Sequence, residues 1–290
     1  MSSNQPSTIP GSQLLSIKNR VIPSSVSQVG TITKYEMLNY FRSRRFFVLL
    51  AIDLFISGLL TFLVAYYSIV TARTTVLGFF SFWWNGIYFI IALAGIFFGG
   101  DAISGEIQNK TGYFLVAHPL RRSSIYVGKW IGAFIASMIV LGIFVAITVG
   151  NSLYYFGDNI PWAVGESFIF SILYLMAVLG LTFFFSSLFR ASSMSILVTA
   201  ILFLFAFSLI QDLVQGLAGI EPWFIITYGA GIILNVLSSP YPTTQRGVGL
   251  GGRELQFYAV SIPEGIVIML CYFVATAILG LVLFERREFT

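Results

Sequence analysis

Long apolar runs alternate with shorter polar segments along most of this chain. A helix needs about 20 mostly apolar residues to cross about 30 Å of hydrocarbon, because its backbone groups must be hydrogen-bonded within the segment. Six runs meet this requirement, and they are continuously apolar instead of alternating, which favours helices over the strands of a barrel. The predicted spans 1 to 6 cover residues 46–70, 79–99, 128–150, 167–189, 194–216 and 265–284.

The N-terminal region divides into two parts by composition. Residues 1–27 are rich in Ser, Gln and Pro and lack the features of a signal peptide, so they are predicted to be a flexible cytoplasmic tail that precedes one transmembrane domain, residues 28–290. Between Gln28 and Arg45, apolar residues near helical spacing face charged ones, which predicts an amphipathic helix in the membrane interface that leads into span 1. A simple basic anchor for that span is the alternative.

The longest connection, residues 217–264, joins spans 5 and 6. Within it Trp223–Leu237 is apolar but has only about 15 residues, which as a helix would cover about 22 Å. That length cannot span a membrane, so we predict re-entrant or interfacial helices. The rest of the connection is polar and glycine-rich and is predicted to be an exposed outer loop.

Composition and charge agree with a membrane protein and give its orientation. The chain is 57% hydrophobic and 10% charged, whereas an ordinary soluble domain has about 25% charged residues. Of its 16 Lys and Arg residues, all except Arg73, Arg246 and Arg253 fall on the side of the termini. By the positive-inside rule both termini are cytoplasmic, as expected of a multi-pass protein of the plasma membrane. This bias explains the net charge of +4 without a nucleic-acid partner.

The sequence offers few residues for catalysis. His118 is the single histidine, which excludes a multi-histidine metal site, and no GxxxxGK[ST] phosphate loop is present. The glycine-rich stretch 249–254 lacks that spacing as well. We therefore expect no enzymatic activity from this chain alone and no cofactor bound to it.

A few polar and aromatic residues inside the spans are candidates for a substrate pathway. Asp53 is a carboxylate within span 1, and intramembrane carboxylates usually face a partner or a hydrated cavity. Snorkelling to the interface or pairing with Arg45 is the alternative for Asp53. Asn85 in span 2 is a weaker case, and Trp84 and Tyr88 beside it belong either to such a pathway or to the core and the lipid-facing surface.

The segment from Gly99 to Trp130, between spans 2 and 3, is unusually charged for a connection. It predicts a short helix followed by an apolar surface that Pro119 ends. Exposed aromatic residues between charges are typical of a docking surface, although a hairpin resting on lipid has the same composition.

This segment contains, in order, the motifs Asp101-x-x-Ser104-x-Glu106, Lys110-Thr111-Gly112, Leu115, Pro119-Leu120-x-Arg122 and Gly128-Lys129. With these motifs it resembles the membrane subunits of type 2 ATP-binding-cassette exporters. The order Thr-Gly and the histidine before Pro119 depart from the commonest form. The resemblance extends over nearly the whole chain beyond residue 30, through the amphipathic helix, the six spans and the long outer connection.

The resemblance implies an all-α membrane subunit that forms a homodimer or heterodimer with a second membrane subunit. Each subunit would rest on a cytoplasmic ATPase subunit, which binds ATP and Mg²⁺, through a coupling helix between spans 2 and 3. The contact residues that follow from it are Glu106, Lys110, Thr111, Gly112, Tyr113, Phe114, Leu115, His118, Pro119 and Arg121. ATP binding would open a cavity outward between the membrane subunits, lined by spans 1, 2 and 5.

Two other classes of function remain open from the residues themselves. A gradient-driven carrier would carry ionisable groups at mid-membrane on two related halves, whereas Asp53 lies at a shallow depth in span 1 and the sequence shows no repeat. A structural or receptor-like membrane protein would use the outer connection as its binding surface.

Overall fold

The computed structural model describes residues 24–71, 73–109, 121–248 and 254–287. Within these ranges six helices are long and apolar enough to cross a membrane, which confirms the six predicted spans and the all-α fold. As the structure has them, spans 1 to 6 are Arg44–Tyr66, Val76–Gln108, Arg122–Phe156, Trp162–Leu188, Ser192–Gly216 and Ile262–Arg286.

An N-terminal helix, α1 (Ser25–Arg42), precedes span 1, which is helix α2 (Arg44–Tyr66). The Ser24 hydroxyl accepts a hydrogen bond from the backbone N–H of Ser27 and caps α1. Ser43 has extended backbone and caps α2 by accepting from the N–H of Phe46. The amphipathic helix predicted over 28–45 therefore begins three residues earlier, and a sharp break at Ser43 separates it from the span.

Helix α1 packs along the first half of span 3, helix α5 (Arg122–Phe156). A Cβ at Gly128 would lie 2.8 Å from the side chain of Ile32, and one at Gly132 would lie 2.9 Å from Glu36. The hydroxyl of Thr33 also donates to the carbonyl oxygen of Gly128 at 3.2 Å. The two helices approach this closely only because both positions lack a side chain.

Spans 2 and 5 are not continuous α-helices. Span 2 consists of α3 (Val76–Ala94), a π-helical turn (Gly95–Gly99) and α4 (Ser104–Gln108). Span 4 is the regular helix α6 (Trp162–Leu188). Span 5 consists of α7 (Ser192–Ile201), a π-helical turn (Leu202–Ala206) and α8 (Phe207–Leu213), and a second π-helical turn (Val214–Ala218) overlaps its end.

The connection between spans 5 and 6 folds into two short helices and a hairpin. Helices α9 (Ile226–Ala230) and α10 (Ile232–Asn235) are too short to span a membrane, as the sequence predicts. Strands β1 (Gln245–Val248) and β2 (Glu254–Phe257) pair in an antiparallel hairpin in which Gln245 lies opposite Phe257. The sequence predicts an exposed outer loop here and does not predict this hairpin. Span 6 is helix α11 (Ile262–Arg286), which begins with a capping box formed by Ser261 and Glu264.

The two short helices are fixed from three sides. Tyr88 of span 2 donates to the carbonyl oxygen of Ala230 at 3.0 Å, and Ser167 of span 4 donates to that of Ile233. Against span 6, a Cβ at Gly265 would lie 2.6 Å from the carbonyl oxygen of Gly229. We name the two ends of the bundle the α1 end and the hairpin end.

The core of the subunit lies around spans 2 and 4. In the most apolar stretch of these two spans, 67% and 56% of the residues are buried in protein, whereas spans 1, 5 and 6 reach only 22%, 17% and 17%. Most of the apolar surface of the three outer spans is therefore left for lipid or for another chain.

The approach of α1 to span 3 can be tested with two glycines of the same helix. Gly128→Leu forces a side chain into the position of Ile32, and overpacking of this kind costs about 1–3 kcal/mol. We expect a lower melting temperature for the purified protein in detergent, followed by intrinsic fluorescence. Gly142→Leu is the control, because no atom lies within 4 Å of a Cβ built there. Equal melting temperatures for the two variants would contradict the close packing.

Candidate functional site

A buried ion cluster joins three elements at the α1 end of the bundle. The ammonium group of Lys129 in span 3 lies 2.6 Å from a carboxylate oxygen of Glu106 at the end of span 2, and it also pairs with Glu36 of α1. Only 5% of the Lys129 side chain is exposed. A buried ammonium group without partners costs several kcal/mol, so these two carboxylates make its burial tolerable and hold the three elements together.

The rest of the first motif also turns into the protein. Asp101 pairs with Arg45 of span 1 and accepts a hydrogen bond from the hydroxyl of Ser192, the first residue of span 5. The backbone N–H of Ser104 donates to the hydroxyl of Ser186 in span 4 at 3.0 Å. The residues that carry the family resemblance therefore connect the ends of spans 1, 2, 4 and 5.

A polar cavity of about 370 Å³ lies between α1 and the end of span 2. Its wall includes the ion cluster and Tyr40, whose hydroxyl donates to the carbonyl oxygen of Phe98 at 3.0 Å. Burial, together with the nearby carboxylate of Glu36, raises the pKa of the Tyr40 phenol well above its usual value. The phenol therefore stays protonated and keeps this hydrogen bond to the π-helical turn of span 2.

The predicted ATPase-contact residues are only partly described by the structure. Lys110, Thr111, Gly112, Tyr113, Phe114, Leu115, His118 and Pro119 lie outside the described residues. Arg121 is exposed, and its backbone N–H donates to the side-chain oxygen of Gln28 in α1 at 3.1 Å. Glu106, predicted on the polar rim of the contact surface, has a 20% exposed side chain, and its carboxylate pairs with Lys129.

Two of the predicted pathway residues line a second cavity, of about 550 Å³, between spans 2, 4 and 5 and helix α9. These are Asn85 and Tyr88. Trp84 does not line it, because its side chain is fully buried in the core against Phe80, with 5.2 Å between the ring centroids. Span 1, which the family resemblance adds to the cavity lining, supplies none of the described residues around this cavity.

Asp53 is buried away from both cavities. Its side chain is 0% exposed, and neither carboxylate oxygen has a hydrogen-bond partner among the described residues. The alternative of pairing with Arg45 is wrong, because Arg45 pairs with Asp101 instead. The positions of Arg45 and Asp53 are also about 12 Å apart along the helix axis. Asp53 and Ser57, one turn apart, place two unpaired polar groups on the buried face of span 1.

The ion cluster was not predicted from the sequence, although the sequence contains one indication of it. Lys129 falls within the predicted span 3, and a charged residue inside an apolar span needs a partner in the protein. The partners could not be named, because Glu36 and Lys129 are 93 residues apart in the chain. Tyr174, Gln211 and Thr227 of the second cavity carried no signal at all, since single polar or aromatic residues are common in spans.

The ion cluster predicts a characteristic pattern of stability changes. Lys129→Met leaves two carboxylates buried without their cation and should destabilise the fold by about 3–5 kcal/mol, seen as a lower melting temperature. The triple variant Lys129→Met, Glu36→Gln and Glu106→Gln removes the uncompensated charge and should recover most of that loss. A triple variant no more stable than Lys129→Met would show that the charges are not coupled.

Replacement of Asp53 is expected to have the opposite effect on stability to replacement of Lys129. Because none of the described groups pairs with the carboxylate, Asp53→Asn should raise the melting temperature, by an amount corresponding to about 1 kcal/mol. Asp158→Asn, at an exposed position, serves as the neutral control. A clear loss of stability in Asp53→Asn would show that the carboxylate has a partner.

Comparison with known proteins completes the description of the chain. Residues 30–289 match the family described as ABC-2 family transporter protein. A search of the curated proteins finds no match. The family match covers α1 beyond its first turn, all six spans and the outer connection. The chain therefore belongs to the ABC-2 transporter family, as a multi-pass membrane permease subunit.

Proposed function

We propose that this permease subunit exports its cargo by alternating access, driven by a separate ATPase subunit that binds and hydrolyses ATP with Mg²⁺. The family match supports this function most directly, because ABC-2 membrane subunits work with an ATPase partner. In this proposal two membrane subunits form the transporter in the plasma membrane, the α1 end and both termini are cytoplasmic, and α9 and α10 re-enter the membrane from outside. The distribution of Lys and Arg supports this orientation.

The proposed coupling helix belongs to the connection between spans 2 and 3, and the described residues on either side of 110–120 are held by hydrogen bonds and an ion pair. Before it, the side-chain oxygen of Gln108 accepts from the N–H of Ser192 at 2.7 Å, and Glu106 pairs with Lys129. After it, Arg121 is bound through its N–H to Gln28. We therefore expect a movement of the coupling helix to be transmitted directly to α1 and to spans 2, 3 and 5.

These contacts provide a route by which a movement of the ATPase subunits is transmitted to the membrane spans. Residues of α1, span 2 and span 3 meet at Lys129, so the three elements are expected to tilt together when the ATPase subunits close. Asp101 links the same body to spans 1 and 5. The π-helical turns in spans 2 and 5 are weak points of the helices at which such a tilt can be absorbed.

The ATPase contact is tested with the full-length chain, co-expressed with its ATPase and purified through a tag. Tyr113→Ala combined with Phe114→Ala should weaken ATPase binding about thirtyfold or more, because a buried aromatic anchor is commonly worth 2 kcal/mol or more. Lys110→Ala should weaken it about fivefold or less, as expected for an exposed charge at the rim.

Each outcome separates the proposal from its alternatives. A lipid-resting hairpin predicts unchanged ATPase binding in detergent for the double variant, which would refute the contact. A gradient-driven carrier or a receptor-like protein would retain no ATPase at all, and transport by the purified chain without a second protein would refute the proposed function.

A further inference from the structure

Two cavities adjoin each other along span 5. The inner cavity, of about 550 Å³, lies between spans 2, 4 and 5 and α9. The outer cavity, of about 350 Å³, lies between the end of span 5, the short helices and the hairpin. Gln211 and Gly231 line both. The two cavities therefore adjoin each other between the middle of the bundle and its hairpin end, and each lies within the usual size range of small-molecule sites.

The two cavities differ in chemistry. Aromatic side chains such as Tyr88, Tyr174 and Phe203 dominate the wall of the inner one. The outer one is lined largely by amide and hydroxyl groups, among them Gln215 and Asn235. None of the described residues that line either cavity carries a charge. A ligand that fits both has an apolar body and an uncharged polar head, because an ion here would lose its hydration without a countercharge.

Two side-chain hydrogen-bond donors at the junction between the cavities have no acceptor among the described residues. The hydroxyl of Thr227 donates to the side-chain oxygen of Gln211 at 2.8 Å, which fixes the orientation of the amide. The amide nitrogen of Gln211 has no acceptor among the described residues, and neither has the hydroxyl of Ser208 one turn below it. Both groups can therefore donate to an oxygen of a ligand at the junction.

The backbone of span 5 departs from a regular helix at the same two places. The first π-helical turn, Leu202–Ala206, supplies Phe203 and Phe205 to the inner cavity. The second, Val214–Ala218, supplies Gln215 to the outer cavity. Such turns interrupt the regular hydrogen bonds of an α-helix, and they occur frequently at functional sites. The two π-helical turns therefore lie in the walls of the two cavities. Their positions follow from the backbone and are an observation independent of the shapes of the cavities.

We infer that the two cavities bind an amphiphile, with its apolar body in the inner cavity and its uncharged, hydrogen-bonding head at Gln211 and beyond. This inference rests on the proposed function and specifies its cargo: a molecule with a sugar-like, hydroxyl or amide head, oriented with that head toward the hairpin end. Either a membrane lipid or a free amphiphile supplies this chemistry.

Photolabelling tests the site directly in the full-length chain in nanodiscs. The probe is dodecyl glucoside with a diazirine near the end of its alkyl chain, and labelled residues are identified by mass spectrometry. We expect labelling to concentrate on Phe203 and Tyr174, which line the inner cavity and are buried. Unlabelled dodecyl glucoside should suppress it, whereas dodecyl sulfate and dodecyl trimethylammonium at equal concentration should not. Nanodiscs that contain a glycolipid test the lipid source, since suppression by them indicates a membrane lipid as cargo.

Variants of adjacent residues sharpen the test. Ser208→Trp fills the inner cavity and should reduce labelling at least tenfold, while Leu209→Trp, at a 57% exposed position outside both cavities, should leave it unchanged. Gln211→Leu should weaken the apparent affinity about tenfold, the effect of one lost hydrogen bond in a desolvated site. Melting temperatures of all three variants verify that they are folded.

Two results would overturn the inference. Labelling of the exposed residues Leu209 and Leu213 as strong as that of the buried Phe203, and insensitive to Ser208→Trp, would show simple partition into lipid. Equal competition by the charged amphiphiles would refute the uncharged head. Because the labelling uses no ATPase, retention of the ATPase without site labelling would reject the inference alone, and labelling without ATPase binding would reject the proposed function alone.

Discussion

The buried ammonium group of Lys129 is the contact on which the arrangement of the α1 end depends. It lies where α1, span 2 and span 3 meet, and it is compensated by one carboxylate from α1 and one from span 2. A charge removed from water strongly favours one geometry, because any displacement of a partner leaves an uncompensated ion. The positions of α1 and of the segment after Glu106 are therefore coupled to each other through a single side chain.

Close helix packing extends this coupling across the subunit. Gly128 and Gly132 bring α1 against span 3, next to Lys129 in both sequence and space. At the other end, Gly229 and Gly265 bring the short helices against span 6. In a membrane, where apolar surface gains nothing by leaving lipid, such small residues allow the dispersion contacts and short hydrogen bonds that hold helices together. Both ends of the bundle are thus rigid for the same reason.

Between these rigid ends the subunit retains features that permit motion and binding. Span 5 is the least regular of the spans and is largely exposed, yet it lines both of the adjoining cavities. Its connection to the α1 end runs through Ser192, which binds both Asp101 and Gln108. A span anchored at one end and irregular at two turns can change shape near the cavities while the ion cluster stays intact.

The sequence by itself determined the number and place of the spans, the shortness of the outer helices and the family, because each follows from local apolar length or from a motif contiguous in the chain. It did not determine the partners of Lys129, Asp101 and Tyr88, the isolation of Asp53 or the burial of Trp84. These depend on which faces of distant helices meet, and a continuously apolar span carries little periodic information about its buried side. The irregular turns of span 5 were equally hidden, since no residue type marks a π-helical turn. Only the tertiary structure decided them, because contacts between residues tens of positions apart select one rotation of each helix among several that lipid would accept equally well.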